Sequence, residues 1–189
     1  MLTGCTSFAG KLPPIYTYEQ IPHVEQKRAV SYEAEFFRYT GERDPRLTRK
    51  LEQEVKRVFL KSGAFSSVDT ARSAEANHLL IKIESKAKNE LFGAINGIIT
   101  TLTLFIIPGY SREEMTMTVE VYWRNSPTGN ISIRQYIYKD RLDFWAHISL
   151  LLLMPIHSHE EGERDLMEHL LLKFVHDISA DQVSVRERN

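Results

Sequence analysis

The sequence predicts an α+β domain: a mainly antiparallel sheet of about four strands with two amphipathic helices on one face. Three observations predict it. Apolar and polar residues alternate along separate stretches, as half-buried strands require. Apolar residues recur at helical spacing along two others. Laying both helices on one face of the sheet lets each element hide its single apolar face.

Taken in order, residues Thr6 to Arg28 read as a tether, because Pro13, Pro14 and Pro22 restrict helix and no periodic apolar face develops. From Ala29 to Tyr39 a strand is expected, with Val30, Tyr32, Ala34 and Phe36 on one face and Ser31, Glu33 and Glu35 on the other. Asp44-Pro45 supplies an N-cap and a proline at the first helical position. The helix it opens carries Leu47, Leu51, Val55, Val58 and Phe59, and Gly63 is its natural stop. A second strand covers His78 to Ile83.

A hairpin follows, with Met115, Met117, Val119, Val121 and Trp123 alternating against polar neighbours. Its turn is Asn125 to Asn130, and the return strand runs from Ile131 to Tyr138. Glu160 to Asp177 reads as a helix with Leu166, Met167, Leu170, Leu171, Phe174 and Val175 as its stripe. The domain plan is therefore a tether over 1–28, one α+β domain over 29–178 with apolar inserts at 91–110 and 144–156, and a polar tail over 179–189.

Composition narrows the function. The 189 residues carry 24 basic and 25 acidic side chains, a net charge of -1, with no basic stripe of the kind nucleic-acid binding needs. Arg46, Arg49, Lys50, Lys56 and Arg57 are interleaved with Glu52 and Glu54, the pattern of a solvated helix face. One cysteine excludes an internal disulfide.

That cysteine stands in Leu2-Thr3-Gly4-Cys5, which resembles the lipobox of bacterial lipoproteins. The resemblance implies that Cys5 receives a diacylglycerol thioether and becomes the acylated amino terminus. It also implies a charged and an apolar stretch ahead of the lipobox, where only Met1 to Gly4 stand here. Thr6 in place of an aspartate implies sorting to the outer membrane, facing the periplasm. The element order over about Ala29 to Asp177 resembles small β-α-β-β envelope and transport-auxiliary lipoproteins related to the amino-terminal domain of TolB.

The two apolar inserts are the most unusual feature. No charge occurs from Leu91 to Tyr110, nor from Phe144 to Ile156. The first run has the length of a spanning helix, but it is broken by glycines, Asn96 and threonines. Each run ends in a proline followed by Ser-x-Glu-Glu. The inserts read as core, or as an exposed surface for a partner, for self-association or for the membrane. In the second case Leu102, Leu104, Phe105, Ile106, Trp145, Leu151, Leu152 and Leu153 are the expected contacts.

No catalytic residue and no cofactor are expected. His157, His159, Glu160 and Glu161 tempt as zinc ligands, but they lack ligand spacing, and Ser158 with Glu161 makes a capping box instead. The leading expectation is a non-enzymatic envelope lipoprotein, an accessory or scaffold in an envelope assembly or transport complex. The alternative is a lipid-binding or lipid-handling module, with a lipid ligand in the inserts; a third is a metal-dependent hydrolase using the His157 region.

Overall fold

The computed structural model describes residues 6–7, 16–38, 40–70, 77–88, 90–103, 109–124, 131–146 and 159–186. It is an α+β fold in which helices lie against a mixed six-stranded sheet of order β1-β6-β5-β4-β2-β3. In chain order the elements are β1 (Thr6–Ser7), a short 3-10 turn (Tyr18–Gln20), β2 (Arg28–Phe37), α1 (Pro45–Ser62), β3 (Phe65–Asp69) and β4 (Asn77–Lys88). They continue with α2 (Glu90–Leu102), β5 (Gly109–Arg124), β6 (Ile131–Ala146) and α3 (His159–Arg186).

The helix α1 starts and stops where its residues dictate. Asp44 accepts from the backbone N–H groups of Arg46 (2.9 Å) and Leu47 (3.0 Å). Two helix-start donors are thereby satisfied, and Pro45 brings none to satisfy. At the other end Gly63 takes a left-handed conformation, φ 65°, that a side chain would strain.

The mainly antiparallel sheet that the alternation suggested is corrected to a mixed one. β2 pairs in parallel with both β3 and β4, whereas β4–β5, β5–β6 and β6–β1 are antiparallel. The parallel pair β2–β3 is possible because α1 carries the chain back across the sheet between them. In β3 only Phe65 and Val68 are buried, three apart, so no alternation announces it. The sheet is also wider than about four strands, since β1 and β3 flank it.

One face of the sheet is the core. Tyr32, Phe36, Leu79, Ile81, Ile83, Met115, Met117, Val119, Val121 and Leu142 are 2% exposed or less, and the stripes of α1 and α3 cover them. Phe59 of α1 joins the layers, with its ring 4.9 Å from Phe65 and 5.9 Å from Phe174 of α3. A polar seam completes the contact between α3 and β6. Tyr138 donates to Asp177 (2.9 Å) and Tyr136 to Asp181 (2.6 Å), with Arg134 also on Asp181. Burial first, and then the aspartate acceptors, push both phenols up, Tyr136 to about 12.

Three segments differ from expectation. Within 1–28, Thr6–Ser7 is a strand, Val24 is buried, and the Tyr18 hydroxyl donates to Glu168 of α3 at 2.7 Å. The polar tail from Ser179 continues α3 to Arg186, with the Ser179 side chain fully buried. The repeated Ser-x-Glu-Glu leads into β5 at Ser111 but into α3 at Glu160, so the two runs are not structural equivalents. The hairpin turn at 125–130 lies outside the described residues.

Candidate membrane and partner surface

The registers bring four strand ends together. At one end of the sheet Lys88 of β4 pairs with Arg112 of β5, Gly109 and Tyr110 of β5 with Ala146 and Trp145 of β6, and Trp145 in turn with Thr6 of β1. Cys5 lies outside the described residues, but the residue that follows it is fixed in the ladder here. Both apolar runs also belong to this end. The first leaves β4 as α2 and rejoins the sheet at Gly109; the second starts on β6 and continues past Ala146.

Among the described side chains of α2, a threonine is buried and large apolar residues are exposed. Thr100 is 2% exposed and lies over Gly109, where an added Cβ would stand 2.7 Å from the Thr100 Oγ1. The absence of a side chain at Gly109 is what lets the helix approach the strand. Around the other side Ile95 (49%), Ile98 (60%), Ile99 (43%) and Leu102 (78%) are exposed, at the i, i+3, i+4, i+7 spacing of a single stripe. Of the contacts named from sequence, Leu102 is thus on the surface and Trp145 is placed on β6. Leu104, Phe105, Ile106, Leu151, Leu152 and Leu153 lie outside the described residues. The isoleucines of the stripe went unnamed from sequence because a run apolar on all sides does not declare which side meets the protein.

The open face of the sheet mixes charged side chains with polar and aromatic ones. Ile133 (62%) and Ile137 (58%) of β6 stand exposed on it. Near the shared end Asp143 accepts from the Tyr110 hydroxyl (2.6 Å) and from Arg112 (2.7 Å). Burial works against the Asp143 charge, but these two donors outweigh it and hold the carboxyl below its usual range.

Three polar groupings invite a chemical reading. Ser31 Oγ is 3.0 Å from His78 Nδ1, and His78 Nε2 is 3.5 Å from Glu33. Such a line activates a serine only if substrate can reach it, and Ser31 is 0% exposed. Ser31 also lies inside the ladders that β2 forms with β3 and β4. In the second grouping, His169 and His176 of α3 meet different carboxylates, Asp140 (3.4 Å) and Asp177 (3.2 Å). Among the described residues no three histidine, cysteine or acidic side chains converge as a metal site; His157 and Ser158 lie outside them. The third grouping is Glu113, which accepts from Ser85 beneath α3. Burial, and then the nearby Glu163, push its carboxyl up to about 7. Its alternation with Arg112 and Glu114 gave no sign of a half-buried acid.

No family model matches the chain, and no curated protein matches it. Among solved structures it is similar to the PelC dodecamer from Paraburkholderia phytofirmans at 14% identity and a TM-score of 0.39, over 81% of this chain and 87% of that one. It is also similar to a putative neuraminyllactose-binding hemagglutinin homolog from Helicobacter pylori at 9% identity and a TM-score of 0.36, over 86% and 89% of the two chains. Likeness of this degree carries no argument about function. Among the described residues no helix is long and apolar enough to cross a membrane.

Proposed function

We propose that the chain is an envelope lipoprotein, anchored through acylated Cys5 in the outer membrane on its periplasmic side, and that it acts as a non-enzymatic scaffold in an envelope assembly. The observation that carries this reading is the pairing of Thr6 with Trp145. It joins the lipobox-like segment to the end of the sheet from which both apolar runs depart. An anchor at that end would hold the domain against the leaflet and leave the rest of its surface for protein partners or further copies.

Two acyl chains or more give stable anchoring at about 0.8 kcal/mol for each buried methylene, where a single chain gives only reversible binding. The test is mass spectrometry of the protein expressed from its complete upstream reading frame, with fractionation of the envelope. The expected species begins at Cys5 and carries a diacylglycerol thioether. A free Cys5 thiol on a protein absent from the membrane fraction would overturn the proposal.

A further inference from the structure

We infer that the outward stripe of α2 lies in the lipid leaflet, parallel to its plane, as a second and non-covalent membrane contact beside the anchor. The inference rests on the lipoprotein reading for its orientation, but its evidence is separate. A surface helix of a water-soluble domain turns its apolar side to the core and its polar side to solvent. Among the described side chains of α2 the buried one is Thr100, against Gly109, while Ile95, Ile98, Ile99 and Leu102 are exposed together with Thr101. From Leu91 to Tyr110 no charged residue offers water a better partner.

Length decides how such a helix meets a bilayer. Thirteen residues at about 1.5 Å each span about 20 Å, short of the roughly 30 Å hydrocarbon core, so the helix lies in the interface and does not cross.

Position decides in favour of lipid over a second copy of the chain. Gly109, on which Thr100 sits, adjoins Tyr110, and Tyr110 is two strands from Thr6. Adjacent strands are about 4.8 Å apart, so the backbone after Cys5 passes about 10 Å from the strand that seats the helix. Acyl chains on Cys5 would bring this end of the sheet to the leaflet, and with it the strand end on which α2 is seated. A protein partner would have to be wedged between that stripe and the membrane.

The test uses the full chain carrying Cys5→Ser, which has no acyl group, and vesicles of phosphatidylethanolamine and phosphatidylglycerol. The expected result is measurable co-sedimentation, weakened about tenfold by Ile98→Ser and by Leu102→Ser, each of which removes one apolar side chain from the contact. Both side chains are exposed, 60% and 78%, so circular dichroism and urea midpoints should not move. Failure of the Cys5→Ser chain to sediment, or sedimentation indifferent to both substitutions, would overturn the inference. A concentration-dependent rise in mass without lipid, abolished by the same substitutions, would overturn it in favour of a second copy. If the protein from the complete reading frame keeps a free thiol while stripe-dependent sedimentation persists, the anchor is lost and the α2 contact stands.

Discussion

Glu113→Gln should stabilise the protein in mild base and leave it almost unchanged in acid. In the folded chain the Glu113 carboxyl is pushed from 4.5 up to about 7 by burial and by Glu163, against the opposing pull of Arg38. Between those two values the folded state holds a proton that the unfolded state has released, so stability falls as pH rises through the window. At about 1.4 kcal/mol for each tenfold change in the ionisation equilibrium, the penalty approaches about 3 kcal/mol above pH 7.

Glutamine keeps an acceptor for the Ser85 hydroxyl and cannot ionise, so it should recover most of that loss. Urea denaturation followed by tryptophan fluorescence at pH 4.5, 6 and 8 would read the difference between variant and parent directly. The difference should grow with pH, from near zero to between about 1 and 3 kcal/mol. A constant difference, or a variant less stable than the parent at pH 8, would refute the assignment of Glu113 as a half-buried acid whose ionisation opposes folding.

Two further outcomes follow from contacts described above. Gly109→Ala should destabilise by about 1–3 kcal/mol, because the new methyl meets the Thr100 Oγ1 at 2.7 Å; Thr100→Ala in the same chain should recover part of it, measured by thermal unfolding of the single and double variants. Asp44→Ala should cost about 1–2 kcal/mol in urea by leaving the Arg46 and Leu47 N–H groups uncapped.

Much of the core was legible in the sequence, for identifiable reasons. The β2 alternation from Val30 to Phe36, the Asp44 and Gly63 boundaries of α1, and the α3 stripe are local patterns that mark a single buried side. What escaped depends on partners distant in sequence. Parallel pairing of β2 with β4 leaves no mark on either strand, because the same alternation serves both directions. Burial of Ser179 depends on what α3 packs against, not on its own polarity. The candidate surface was legible as composition alone. The charge-free run containing Leu102 stood out, but the outward turn of Ile95, Ile98 and Ile99 required the Thr100–Gly109 contact to be seen.

The tyrosine–aspartate seam between β6 and α3 works like a vernier. Tyr136 and Tyr138, two apart on an extended strand, are spaced by about 6.6 Å, while Asp177 and Asp181, four apart on a helix, are spaced by about 6 Å. The two scales coincide at one setting. A slide of α3 by one turn, about 5.4 Å, would unseat both phenols together. The axial position of the carboxy-terminal helix is therefore held by polar teeth as well as by its packed stripe.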